Sequence, residues 1–111
     1  MTDCCQVATT VATESAAAAL SEVLVDERLA ACVQVIGPIR STYRWRGAVE
    51  RSTEWICLAK TARTRLPALC ARIRSLHTYE QPEIVTTPII AGDAGYLEWV
   101  KRETSPDPER S

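Results

Sequence analysis

The segment from Ile39 to Trp45 limits the possible folds of this chain more than any other part of the sequence. Apolar or small side chains alternate there with arginine and threonine, residue by residue. Successive side chains of a β-strand point to opposite faces, so this pattern predicts a strand with one largely apolar face and one mostly cationic face. Gly47 then permits a tight turn, and residues 49–51 and 54–60 form the return strand of a hairpin.

The remaining segments place this hairpin in a small α+β domain. They predict, in chain order, a strand over 4–11, a helix capped by Thr13, a strand over 31–36, the hairpin, a second helix from about 64, a strand over 83–90 and a helix over 94–103. Gly37-Pro38 indicates a bend or bulge, and Pro88 indicates an edge strand or a bulge. The order β-α-β-β-α-β plus a C-terminal helix predicts a ferredoxin-like fold with an antiparallel sheet and an extended hairpin formed by its second and third strands.

The chain length and the hairpin together favour self-association. With 111 residues the chain predicts a single domain over 1–104, followed by a disordered tail over 105–111. Residues 55–59 are apolar on both faces, so both faces should be covered. Two helices cover only one face of a four-stranded sheet. The final helix could cover part of the other face, and copies of the same chain would cover the rest.

Charge and cysteine content exclude several classes of protein. The net charge of −1 argues against a protein built to bind nucleic acid or an anionic membrane. No apolar run approaches ~18 residues, so we expect no membrane span, and the N-terminus does not have the pattern of a signal peptide. The five Cys residues include no C-x-x-C pair. These features predict a cytoplasmic protein with reduced, mostly buried thiols.

His77, the only histidine, is the first candidate for a functional residue. It lies near the C-terminus of the second predicted helix, where it could be a capping or hydrogen-bonded residue. It could instead bind a metal ion, because neutral imidazole suits Cu(II), and Glu80 or Glu83 could add a carboxylate oxygen. Two or three such ligands would make a weak site, completed by water or a neighbouring subunit and not required for folding.

A second group of candidates concerns a cleft or an interface between subunits. Its members are Tyr43, Trp45, Trp55, Lys60 and Tyr79. The aromatic residues could line a ligand cleft, or they could form the core of an interface. Lys60 could bind an anion, or it could pair with Glu54 on the same strand.

Several segments, in this order, resemble the CutA divalent-cation tolerance family. They are Arg28-Leu-Ala-Ala-Cys-Val, Tyr43-Arg-Trp-Arg-Gly, Lys60-Thr and His77-Thr-Tyr-Glu-Gln-Pro-Glu, with Tyr96-Leu-Glu-Trp near the C-terminus. The resemblance runs from about Cys4 to Glu103. It implies a ferredoxin-like subunit in a tight trimer, with hairpins that extend the sheets of neighbours, and an association with copper and other divalent cations. Some relatives carry a cysteine after the first strand, where this chain has Thr9 and Thr10.

Two functions therefore stand as hypotheses. The first is a non-enzymatic, trimeric CutA-like protein of divalent-cation (copper) tolerance that binds metal weakly through His77, Glu80 and Glu83. The alternative is a trimeric small-molecule sensor that binds its ligand in clefts between subunits. We expect no enzyme, because the single His has no nucleophile near it in sequence, and an acylphosphatase-like site would need an Asn, which this chain lacks.

Overall fold

The structure is a computed structural model that describes residues 1–106 and confirms the predicted antiparallel α+β fold. Its elements are β1 Cys4–Val11, α1 Glu14–Asp26, β2 Cys32–Trp45, β3 Ala48–Ala62, α2 Leu66–Leu76, β4 Val85–Pro88 and α3 Ala94–Glu103. The strands form one sheet in the order β2-β3-β1-β4, and every neighbouring pair is antiparallel. Of the predicted tail, residues 107–111 lie outside the described residues.

The β2–β3 hairpin is the longest feature of the molecule. Its strands contain 14 and 15 residues, and pairing runs from Trp45 opposite Ala48 to Cys32 opposite Lys60. Arg46 and Gly47 form the turn with φ angles of 50° and 82°. Positive φ at both central positions matches the right-handed twist of the strands, which explains a tight two-residue turn here.

The predicted irregularity at Gly37-Pro38 is a shift in strand register. Pairing shifts between Ile36 and Ile39, and the Gly37-Pro38 peptide bond is cis. Gly37 lies directly against Trp55, because a Cβ atom built on Gly37 would be 2.4 Å from Cδ1 of that ring. The hairpin therefore continues through the irregularity, with the indole packed on bare backbone.

The two main helices pack on one face of the sheet. Thr13 caps α1 by accepting a hydrogen bond from the Ala16 amide, as predicted. The core lies between these helices and the sheet, and its fully buried members include Val7, Leu24, Leu69 and Ile73. Pro67 lies in the first turn of α2, where its missing N–H costs no helical hydrogen bond.

In α1, Ala17 is buried while Ala16 and Ala19 are exposed. The predicted length of the last strand was wrong. The last strand covers only Val85–Pro88, because Pro88 has no N–H to donate, although the Ile89 amide still bonds the Cys4 carbonyl oxygen. On β3, Ile56 and Leu58 are half-buried in one chain, and the expected coverage of the rest of their face by copies of the chain stays a prediction.

The C-terminal helix α3 packs against β1 and β3. Asp93 caps it by accepting from the Tyr96 amide, and Val100 is fully buried. Cys4 contacts it directly, with the thiol 3.6 Å from the Leu97 carbonyl oxygen. Cys4 and Cys5 are adjacent on a strand and therefore face opposite sides of the sheet. Among residues 1–106, no helix is long and apolar enough to cross a membrane.

Candidate functional site

A cleft of ≈ 700 Å³ opens where the hairpin meets the connection after α2. It is lined by Thr10 at the end of β1, by residues 43–45 of β2, by Glu54 of β3 and by residues 78–83. Its volume is in the range that small-molecule sites occupy. Tyr43, Trp45 and Tyr79, which were candidates for a ligand cleft or an interface core between subunits, line this cleft in a single chain.

Glu54 is the buried acidic group of this cleft. Only 6% of its surface is exposed, and its Oε2 accepts a hydrogen bond of 2.8 Å from the Tyr79 hydroxyl. Burial and the Glu54 carboxyl group both raise the pKa of Tyr79, so this hydroxyl stays protonated and donates. Within the described residues, no Lys, Arg or His forms an ion pair with Glu54.

His77 holds the connection after α2 against the end of β1. Its Nε2 lies 2.8 Å from the Thr10 carbonyl oxygen, and its Nδ1 accepts a hydrogen bond of 3.1 Å from the Tyr79 amide. A carbonyl oxygen cannot donate, so Nε2 carries the proton and Nδ1 does not. This is the hydrogen-bonded alternative considered for His77, and a metal ion could bind the ring only in exchange for one of these bonds.

The predicted carboxylate ligands are not assembled around His77. Glu80 pairs with Arg46 at 2.6 Å, and both side chains are about 70% exposed (71% and 69%). Glu83 is exposed at the cleft. Across residues 1–106, no group of three or more His, Cys, Asp or Glu side chains could hold a metal ion. These donors do not fit a bound metal as one chain arranges them, so metal binding at His77 stays a prediction.

Two predicted cleft residues lie elsewhere. Trp55 is half-buried beside the core, and its indole N–H is buried without a hydrogen-bond partner in the described residues. Lys60 donates to the Gln34 side chain, so the alternative of a Lys60–Glu54 pair is wrong. The physical reason is distance, since six residues along a strand span ~20 Å.

The sequence interpretation missed the role of Glu54 and its bond to Tyr79. A charged residue immediately before the apolar stretch 55–59 is the one local signal that could have drawn attention to it. The position of Arg46 beside Glu80 was missed as well. Arg46 also lies over the Trp45 ring, with its guanidinium carbon 5.3 Å from the ring centroid. The ring is therefore able to accept a cation on its face.

These features define a class: an α+β protein of ferredoxin-like fold with an extended hairpin and a cleft between that hairpin and the connection after α2. Within that class, the chain belongs to the CutA1 divalent ion tolerance protein family, whose model matches residues 5–103.

Comparison with individual proteins agrees with this assignment. The divalent-cation tolerance protein CutA of Thermus thermophilus is 42% identical over 95 residues, covering 86% of this chain and 92% of that protein. The human protein CutA is 38% identical over 91 residues, covering 82% of this chain and 51% of that protein. The chain thus spans about half the length of the human relative.

Solved structures match over almost the whole fold. The Thermus thermophilus divalent cation tolerance protein (Cut A1) superimposes with a TM-score of 0.89 at 40% identity, covering 92% of this chain and 99% of that chain. CutA from Xylella fastidiosa superimposes with a TM-score of 0.91 at 36% identity, covering 94% and 100%. The hairpin and the helices are therefore arranged as in these proteins.

Proposed function

We propose that this protein is a non-enzymatic, cytoplasmic member of the divalent-cation tolerance family that works as a homotrimer and binds Cu(II) or another divalent cation weakly. Family membership over residues 5–103 supports the relation to divalent cations. The Thermus thermophilus relative is named a divalent-cation tolerance protein. The five cysteines are free in the structure, which fits a reducing compartment.

The hairpin is the observation that carries the proposed assembly. In the sheet order, β2 is an edge strand of 14 residues, and among residues 1–106 no strand pairs with its outer side. It also exposes Val35, Ile36, Tyr43 and Trp45, by 38–51% of their surface. A long apolar edge of this kind is a template for pairing with another chain. Copies of the same chain would cover it.

His77 with Glu80 and Glu83 is the proposed source of metal ligands. Cu(II) prefers imidazole nitrogen together with carboxylate oxygen. Binding would be weak, because His77 would exchange a hydrogen bond to Thr10 or Tyr79 for the metal, and Glu80 would leave Arg46. A trimer would bring three copies of each ligand, and folding would not depend on them.

Light scattering and calorimetry test this proposal. We expect a molar mass of three chains of 12.2 kDa each at micromolar concentration. We expect Cu(II) to bind wild type and to bind His77→Ala and Glu83→Gln at least ~10-fold more weakly, a difference of ~1.4 kcal/mol. Glu50→Gln removes an exposed carboxylate outside the cleft and should bind as wild type. A monomer would contradict the assembly, and equal or absent binding in all variants would contradict the metal site.

The alternative function, a small-molecule sensor, is favoured by one observation. The cleft at Glu54 is large enough for a small organic ligand and contains a buried carboxyl group. A screen of metabolites by thermal shift would test it, since a ligand of the folded state raises the apparent stability.

A further inference from the structure

The two faces of the β2–β3 hairpin differ in charge. Glu54 of β3 lies opposite Ile39 of β2, so both side chains point to the largely apolar face of the hairpin. Arg40 is one residue from Ile39 along β2, and Arg51 is three residues from Glu54 along β3. Side chains alternate along a strand, so both arginines point to the opposite, cationic face. The hairpin therefore separates these arginines from Glu54 of their own chain.

The Glu54 face is where a second copy of the chain is expected. Ile56 lies on the same face of β3 and is half-buried in one chain. Glu54 is 6% exposed and accepts a hydrogen bond from Tyr79, which does not balance its charge. Within residues 1–106 it forms no ion pair. Burying a carboxylate is costly unless it is paired as well as hydrogen-bonded, so the copy that covers this face should supply the counter-ion.

Arg40 and Arg51 are the cations of the hairpin that suit this role. Both are exposed, and in the part of the chain that the structure describes neither forms an ion pair. Arg40 lies opposite Thr53, two residues from Arg51, so the two arginines are diagonal neighbours on one face. Guanidinium groups bind carboxylates through two parallel N–H bonds and are enriched at interfaces between proteins.

The symmetry of a trimer requires a contact between two different surfaces. In a closed ring of three identical chains, one patch of each chain meets another patch of the next chain. A face that carries only arginines repels its own copy, whereas the arginine face and the Glu54 face attract each other. Complementary charge of this kind also fixes the register in which two chains meet.

We propose that the Glu54 carboxylate accepts hydrogen bonds from the Arg40–Arg51 face of a neighbouring copy, so that each cleft is completed by the hairpin of the next chain. Tyr79 is a positioning residue, because its hydroxyl fixes Oε2 of Glu54. The inference rests on the proposed homotrimer and adds the residues that hold it together. The cleft of one chain is incomplete without the partner copy.

A double-mutant cycle on assembly tests the proposal. Light scattering over a dilution series measures the concentration at which half of the chains are assembled, in urea that partly dissociates wild type. We expect Glu54→Gln to raise this concentration at least ~10-fold, and Arg40→Gln/Arg51→Gln to do the same, because each leaves a buried partner without its counter-charge. All three changes together should weaken assembly no more than either set alone. Additive effects would overturn the pair.

The controls make the same charge changes away from the hairpin. Glu22→Gln removes an exposed carboxylate of α1. Arg63→Gln/Arg74→Gln removes two exposed guanidinium groups, one just before α2 and one within it. Both control variants should assemble as wild type. If they weaken assembly as much as the hairpin variants do, the net charge is responsible and the proposal is wrong.

The mass of wild type separates this inference from the proposed function. A wild-type monomer would contradict the trimer itself, and the pair with it. A wild-type trimer that neither Glu54→Gln nor the arginine changes weaken would overturn only the pair. Arg40 and Arg51 are exposed in one chain, so replacing them leaves the subunit folded. Their arm of the test therefore does not depend on how Glu54→Gln folds.

Discussion

Tyr79 is held at both ends, by His77 two residues before it and by Glu54 on β3. Its amide donates to Nδ1 of His77, whose Nε2 in turn bonds the Thr10 carbonyl oxygen, and its hydroxyl donates to Glu54. The His77 and Tyr79 rings also touch, with centroids 4.8 Å apart. His77 and Tyr79 together thus tie the connection after α2 to β1 and to β3. The geometry of the cleft depends on these three bonds.

Replacing Tyr79 with phenylalanine tests the bond to Glu54. The variant leaves a buried carboxylate without its donor, and hydrogen bonds to charged groups contribute about 1.5–3 kcal/mol. We expect Tyr79→Phe to lower the free energy of unfolding by this amount in urea denaturation. In a Glu54→Gln background the same change should cost less, which a double-mutant cycle measures. Equal costs in the two backgrounds would contradict a specific interaction between these residues.

Alkaline pH should lower the free energy of unfolding, because several buried groups have raised pKa values in the folded protein. Burial raises the pKa of the Cys4, Cys5 and Cys57 thiols, and burial and Glu54 raise the pKa of Tyr79. The folded state therefore retains protons that the unfolded state releases, so stability falls as pH rises. The fall should begin near pH 9, the ordinary pKa of a thiol, and continue above ~10, that of tyrosine.

Tyr79→Phe provides the control for this pH dependence. It removes only the Tyr79 contribution and leaves that of Tyr96, whose pKa burial also raises. The stability of the variant should therefore fall less steeply than that of wild type above pH ~10 and in parallel with it below. Urea denaturation at a series of pH values measures both slopes. Identical slopes above pH ~10 would show that Tyr79 does not contribute.

At the scale of elements, the hairpin was predictable because its signals are local. The alternation from Ile39 to Trp45 and the turn at Gly47 depend on neighbouring residues, and the structure has both. The N-caps at Thr13 and Asp93 are local in the same sense. The buried face of α1 was not predictable in detail, because a run of alanines gives no difference in hydrophobicity to orient the helix.

The cleft depends on contacts that no local pattern encodes. The Tyr79–Glu54 bond joins residues 25 positions apart, and the His77–Thr10 bond joins residues 67 apart. His77 and Tyr79 could therefore be predicted from the sequence as candidate site residues. The residues that they contact could not. It also grouped Lys60 with Glu54 because both lie on one strand, although strand geometry keeps their side chains far apart.

Two glycines of the hairpin should respond differently to alanine. At Gly47 a Cβ meets nothing within 4 Å, so Gly47→Ala costs only the strain of φ +82°, about 1 kcal/mol. At Gly37 a Cβ would be 2.4 Å from the Trp55 ring, which must then shift. We expect Gly37→Ala to cost about 1–3 kcal/mol, and more than Gly47→Ala, in chemical denaturation. The opposite order would mean that Trp55 moves freely.

The whole molecule is extended for its size. Its Cα radius of gyration is 14.7 Å, whereas a compact chain of this length would have ~13 Å. The principal extents of 49 × 25 × 22 Å show that one axis is twice the others. The hairpin accounts for this axis, because no helix within residues 1–106 packs against its outer half. The core that one chain buries is small, and the exposed strand edge is where further burial can come from.

Lysine substitutions at the edge of β2 test the proposed assembly at this scale. Val35 and Ile36 are 40% and 51% exposed in one chain, so replacing them would change a monomer's stability little, by about 0.5 kcal/mol or less per residue. If copies of the chain cover this edge, two buried lysines without partners prevent association.

We therefore expect Val35→Lys/Ile36→Lys to have the molar mass of one chain by light scattering and a Tm that no longer rises with protein concentration. Val25→Lys changes a residue of α1 with similar exposure, 42%, and should assemble as wild type. A double variant that keeps the wild-type mass would place the interface elsewhere. The exposed apolar edge of β2 would then need another explanation.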